Sequence, residues 1–132
     1  LASMPKGNDL LLTEPLQWES GGLLLNPRMD AGLRRRVLET DFPDQPGHIW
    51  VATSGSGGTL KVVALSQGAL AASAAAVNKH LAATPDDVWL NPLPLFHVGG
   101  LGIVVRAALS GASWVTCPPW EPAGFARLAA DS

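Results

Sequence analysis

The sequence predicts an α/β fold, a mainly parallel sheet with helices on both faces, and three observations lead there. Between residues 49 and 120, short apolar runs of strand type alternate with longer helical patterns. The connections are short, which fits βαβ units with right-handed crossovers. From Val51 to Trp120 only Lys61, Lys79, Asp86, Asp87 and Arg106 are charged, so most of this stretch is expected to face protein rather than water. At 132 residues the chain reads as a single α/β domain, residues 1–132, large enough to bury about two-thirds of its unfolded surface.

Residues 4–48 differ in character from residues 49–120. They hold twelve of the twenty charges and five isolated prolines (Pro5, Pro15, Pro27, Pro43 and Pro46), and read as short elements wrapped over a surface. Leu1-Ala2-Ser3, ahead of Met4, are read as left over from expression and are set aside. Leu23-Leu24-Leu25 reads as a strand. Asp30 can cap a helix running to about Glu39, in which Leu33, Val37 and Leu38 share a face.

Residues 49–120 are read as the βαβ core. Its first part is Ile49-Trp50-Val51-Ala52 and Val62-Val63-Ala64-Leu65, two strand-like runs flanking Thr53-Ser54-Gly55-Ser56-Gly57-Gly58-Thr59-Leu60-Lys61. Glycines let successive backbone N–H groups point into one concavity, and hydroxyls with an ammonium beside them suit phosphate oxygens. On composition alone a solvated Gly/Ser turn joining two strands fits equally, and both readings stand at this point. Two common phosphate signatures are excluded. A P-loop needs Gly directly before the lysine and Ser or Thr after it, where this chain has Leu60 and Val62, and a G-x-G-x-x-G begun at Gly55 meets Leu60 in place of its last glycine.

Ser66 is an N-cap candidate for the next helix, in which Leu70, Ala74, Val77 and Leu81 fall on one narrow face, and Thr84-Pro85-Asp86-Asp87 is expected to end it and form the turn. Val88-Trp89-Leu90 comes next as a buried strand that stops at Pro92. The apolar residues 101–109 read as a helix ending at Gly111, and Ser113-Trp114-Val115-Thr116 as a further strand. Pro118-Pro119 closes that strand, and residues 122–130 start another amphipathic helix. No strand comes after this helix, so residues 121–132 are read as a truncated helix and the chain as a piece of a longer polypeptide.

Charge and composition narrow the partners. A net charge of −2 argues against nucleic acid or an acidic membrane bound by bulk electrostatics, and Arg34-Arg35-Arg36 is short enough to be a solvated helix face. The single cysteine, Cys117, excludes an internal disulfide framework, and no Cys/His spacing resembles a metal site. No basic-then-apolar leader and no apolar run of membrane-spanning length is visible, so a soluble, cytoplasmic protein is expected.

The second informative stretch is Pro92-Leu93-Pro94-Leu95-Phe96-His97-Val98-Gly99-Gly100. It places a histidine between a rigid proline-rich run and a Gly-Gly pair at the expected entry to a helix. In open parallel sheets ligands collect outside the carboxyl ends of the strands, where both this segment and the glycine loop are expected. His97 is therefore a pocket candidate. The alternative is a histidine whose ring nitrogens simply bond nearby backbone.

Taken together the two motifs point further. Thr53 to Lys61 resembles the phosphate loop of the adenylate-forming superfamily (acyl-CoA synthetases, luciferase-like enzymes and peptide-synthetase adenylation domains), usually written T-S-G-T-T-G-x-P-K. Pro94-Leu95-Phe96-His97-Val98-Gly99-Gly100 is similar to the P-L-F-H-x-x-G segment of the same enzymes, in the family's order and separation. The resemblance covers roughly residues 49–115. Within the superfamily, the compact N-terminal part and the wording of the histidine segment look most like o-succinylbenzoate–CoA ligases of menaquinone biosynthesis.

The resemblance implies a partial N-terminal subdomain of an enzyme that uses ATP, Mg and coenzyme A. A carboxylic acid and ATP would give an acyl-adenylate and pyrophosphate, and the thiol of coenzyme A would then displace AMP. Thr53, Ser54, Gly55, Ser56, Gly57, Gly58, Thr59 and Lys61 would hold the ATP phosphates, with Lys61 adding charge to the departing pyrophosphate. His97, Gly99 and Gly100 would line the acyl pocket, the histidine as gate or orienter. This chain departs from the family at Gly57 (usually Ser or Thr), Leu60 (Pro), Val62 (Gly) and Gln67 (His), leaving a loop with fewer donors and more freedom. The family's adenine, ribose and acidic metal contacts and its C-terminal lysine lie beyond the matched residues, so this stretch alone is not expected to turn over. Two alternatives remain on the sequence: a non-catalytic phosphate- or nucleotide-binding module, and an adenylating enzyme whose acceptor is a carrier-protein thiol.

Overall fold

The computed structural model describes residues 22–43, 45–54, 60–116 and 121–131. They fall into two compact units divided between Gln67 and Gly68.

The first unit holds β1 (Gly22–Leu24), α1 (Ala31–Glu39), β2 (His48–Ser54) and β3 (Leu60–Ser66) in a three-stranded sheet of order β1-β2-β3. Helix α1 starts where the sequence places it. The Asp30 carboxylate accepts from Leu33 N at 2.9 Å, filling one of the amide positions that a helix start leaves unpaired, and at the far end the Thr40 N–H bonds Val37 O. Val37 is buried and Leu33 and Leu38 are half-buried, the face expected from their spacing.

Alternation along the strands decides what α1 packs on. Trp50, Ala52, Leu60, Val62 and Ala64 share one face of the β2–β3 pair, and with Leu23, Leu25, Met29, Val37, Leu38 and Phe42 they form the core of this unit. The Phe42 and Trp50 rings meet at 5.0 Å in a tilted arrangement. Truncating a fully buried member of such a core typically costs about 2–5 kcal/mol.

The expectation of a mainly parallel sheet is corrected here. β1 pairs with β2 in parallel, but β2 and β3 are antiparallel, in register from His48↔Ser66 to Ser54↔Leu60. The reason is length. Five residues separate Ser54 from Leu60, enough for a hairpin, whereas a parallel return needs a crossover of about a dozen residues or more.

The second unit contains α2 (Gln67–Leu81, which begins at the division), β4 (Val88–Asn91), α3 (Val98–Ser110), β5 (Ser113–Thr116) and α4 (Pro122–Asp131). Here the expected βαβ unit is present: β4 and β5 pair in parallel, from Val88↔Ser113 to Asn91↔Thr116, with α3 between them in sequence. Asn78 Nδ2 donates to Arg106 O at 2.8 Å and ties α2 to α3, while the Arg106 guanidinium lies 5.8 Å over the Trp89 ring.

Several sequence expectations shift in detail. Leu70 and Ala74 are buried, but Leu81 is 58% exposed because it belongs to the last turn. The helix stops at Ala82, ahead of the Thr84-Pro85-Asp86-Asp87 segment expected to end it. Ala82 takes φ 53°, its N–H reaches Lys79 O and that of Ala83 reaches Asn78 O at 2.9 Å, the paired bonds of a Schellman end. The Thr84–Asp87 turn then forms as expected, with Asp87 Oδ2 accepting from Thr84 N at 2.6 Å. Helix α4 opens with Pro122 in its first turn, and the Glu121 carboxylate accepts from the N–H groups of Ala123 and Gly124. The low charge of residues 51–120 does not bury all of them: Val63, Val88, Leu93, Val98, Leu109 and Val115 remain exposed.

Candidate functional site

Two places, one in each unit, carry the residues singled out from the sequence. The first is the mouth of the β2–β3 hairpin. Thr53 and Lys61 are cross-strand partners there, as are Ser54 and Leu60, so Thr53, Ser54 and Lys61 sit on strand ends rather than in the loop. Thr53 Oγ1 donates to Lys61 O at 3.3 Å. Direct opposition puts the Thr53 and Lys61 side chains on the same face of the ribbon, and Lys61 is exposed. Lys61 forms no ion pair among the described residues. Gly55, Ser56, Gly57, Gly58 and Thr59 lie outside the described residues.

The hairpin mouth therefore presents an ammonium without a described counter-charge beside a hydroxyl, at the two ends of a glycine-rich loop. The Lys61 ammonium suits an anion, while the Thr53 hydroxyl has its one proton on Lys61 O. No cluster of three or more His, Cys, Asp or Glu among the described residues could hold a metal ion.

The second place is the turn between β4 and α3. Its geometry is fixed by Asn91, the last residue of β4, which is fully buried at 0% exposure. Asn91 Oδ1 accepts from Leu93 N at 3.1 Å and its Nδ2 donates to Gly100 O at 3.0 Å, so one amide bridges the start of the turn and the first turn of α3. His97 N–H closes the turn on Pro94 O at 3.0 Å. Gly100 is required by this closeness: a Cβ there would collide with the Pro94 carbonyl oxygen and lie 2.7 Å from that of Leu93.

His97 is the N-cap of α3, whose first residue comes three positions earlier than the expected Leu101. Its Nδ1 accepts from Gly99 N at 3.0 Å. The expectation that a ring nitrogen bonds nearby backbone is thus met at Nδ1, while the residue is exposed and Nε2 has no partner among the described residues. Gly99 is half-buried beside the ring, where a Cβ would stand 3.2 Å from His97 Nδ1 and 2.8 Å from Leu93 Cδ1.

Asn91 escaped the sequence reading. The only signal was the Asn-Pro pair at the end of a strand, which marks a turn without saying that the side chain is buried.

The AMP-binding enzyme family model matches residues 34–131. The chain belongs to this family. Both candidate places of this AMP-binding family member fall inside the match. A 2-succinylbenzoate–CoA ligase from Bacillus cytotoxicus is 33% identical over 86 residues, covering 65% of this chain and 18% of the relative. An Escherichia coli MenE structure with bound OSB-AMS aligns at TM-score 0.59 and 26% identity, over 75% of this chain and 29% of that one. The O-succinylbenzoate coenzyme A synthetase (MenE) of Bacillus subtilis, in complex with AMP, aligns at TM-score 0.67 over 84% of this chain and 40% of that one, and at 18% identity it speaks for the fold alone. The chain spans about a fifth of the length of the curated relatives it matches. No helix among the described residues is long and apolar enough to cross a membrane.

Proposed function

We propose that this chain is part of an ATP-dependent, AMP-forming acid–CoA ligase, with o-succinylbenzoate of menaquinone biosynthesis as the first candidate substrate. The observation that carries the reading is the family match across residues 34–131, taken with curated relatives named 2-succinylbenzoate–CoA ligase. The reaction has two steps. A carboxylate oxygen attacks the α-phosphorus of ATP and pyrophosphate leaves, and the sulfur of coenzyme A then attacks the acyl carbon and AMP leaves. ATP and coenzyme A as co-substrates suit work in the cytoplasm.

The residues take roles that suit their chemistry. Lys61, with Thr53, Ser54 and the loop residues Gly55, Ser56, Gly57, Gly58 and Thr59, holds the β- and γ-phosphates, and the Lys61 ammonium offsets charge as pyrophosphate departs. His97 meets the acid, and Gly99 and Gly100 let the backbone pass close behind it. The test is a panel of carboxylic acids with the full-length protein, scored by AMP release, with o-succinylbenzoate first. Release dependent on both an aromatic acid and coenzyme A supports the reading. AMP formation that no acid stimulates overturns it.

A further inference from the structure

Helix α1 and strand β3 leave an open cavity of about 440 Å³ between them, a volume in the range of small-molecule sites. Its walls are apolar: Leu33 and Val37 from α1, Phe42 just after it, and Leu60 and Val62 from β3. The floor belongs to the first unit's core, since Val37 is buried and Phe42, Leu60 and Val62 pack against the same cluster. Arg36 and Thr40 complete the lining. Thr40 Oγ1 spends its proton on Arg36 O at 2.8 Å, so the hydroxyl can only accept from a ligand. The Arg36 guanidinium is exposed and forms no ion pair among the described residues. Glu39, one turn on, does not neutralise it, because its Oε1 is held by Arg35 at 2.7 Å.

We propose that this cavity binds a monocarboxylate with an apolar body, its carboxylate on Arg36 and its body against Leu33, Val37, Phe42, Leu60 and Val62. Charge complementarity selects that occupant. One cation, planar and able to bond both oxygens of a carboxylate, is the lining's only charged group, and every wall beyond it suits hydrocarbon. A nucleotide or sugar would leave most of its polar groups unpaired there. Alternate residues of a strand point to opposite faces, so Leu60 and Val62 place the acid on the reverse of the ribbon from the Lys61 side chain between them. The site is thus separate from the Lys61 face of the hairpin, and it does not depend on the ligase reading above.

Methyl NMR on the full-length protein labelled at leucine and valine tests this, with octanoate and its uncharged amide, octanamide, as probes. Octanoate should shift the methyls of Leu33, Val37, Leu60 and Val62 saturably, and octanamide should bind more weakly. Arg36→Gln alters an exposed side chain and keeps a good helix former, so the fold should stand. It should weaken octanoate about threefold to fivefold, the scale of an exposed ion pair, and leave octanamide unchanged. Octanoate that moves none of these methyls, or only methyls elsewhere in the protein, overturns the proposal. So does an equal loss for both probes in Arg36→Gln, which would remove the carboxylate from Arg36. Contacts from these methyls to another segment of the same chain, seen without any probe, would give the cavity to the protein itself and end the proposal too. No ATP or coenzyme A is added. Failure to bind octanoate here therefore leaves the ligase reading standing, and a protein inactive toward every acid leaves the binding result standing.

Discussion

Thr53 and Lys61 face each other across the last rungs of the β2–β3 ladder, joined by the 3.3 Å bond from Thr53 Oγ1 to Lys61 O. The pairing sets the ammonium at one foot of the glycine loop and a hydroxyl at the other, both on hydrogen-bonded strand ends. Donors preorganised toward developing charge are worth about 3 kcal/mol each, so Lys61→Ala in the full-length protein should slow ATP–pyrophosphate exchange about a hundredfold. Measured exchange that stays at the unmodified rate would remove this hairpin from the phosphate chemistry.

Gly99 and Gly100 are adjacent but should answer differently to alanine. At Gly100 the added methyl meets two backbone carbonyl oxygens, which cannot move without dismantling the turn, whereas at Gly99 it presses mainly on the end of the Leu93 side chain. Overpacking against fixed atoms typically costs about 1–3 kcal/mol. Gly100→Ala should therefore lower the denaturant midpoint clearly, and Gly99→Ala should lower it by a good deal less. Equal losses would show that the turn is more yielding than its geometry states.

The reach of the sequence is uneven for identifiable reasons. Helix α1 and its Asp30 cap were legible because capping and periodicity are local, and the β4–α3–β5 unit because its pattern is long and regular. The antiparallel return of β3 is legible in principle from the five residues between Ser54 and Leu60, but the stronger βαβ periodicity downstream masks it. The start of α3 was hidden because Val98-Gly99-Gly100 is poor helix-forming sequence. What starts the helix there is the His97 ring, whose bond to Gly99 N exists only once the turn is folded. Asn91 was illegible altogether, since burial of a polar amide is a tertiary fact.

The Asp30 cap offers a clean local test. Its carboxylate takes the Leu33 N–H at 2.9 Å at the start of a short helix whose Val37 is central to the first unit's core. Loss of an N-cap acceptor typically costs about 1 kcal/mol. Asp30→Ala should lower stability by about that amount, and Asp30→Ser, which keeps an acceptor at the same place, should recover most of it. Both are read from urea unfolding monitored by tryptophan fluorescence, with Trp50 in the same core as reporter.

Ala82 and Gly111 end the helices α2 and α3 in the same left-handed conformation, at φ 53° and 75°. Only one of them has the residue suited to it. An L side chain in this region costs about 1–2 kcal/mol, while glycine gives back part of that through the extra freedom of its unfolded chain. Ala82→Gly should therefore stabilise the protein by about 0.5–1 kcal/mol. Gly111→Ala should cost about 1 kcal/mol, and its methyl would meet Pro85 only at 3.6 Å, so conformation rather than crowding decides the loss. The pair is informative because the signs oppose. A protein weakened by Ala82→Gly would mean that α2 does not stop at Ala82 and that the turn through Thr84 and Asp87, rather than the left-handed residue, ends it.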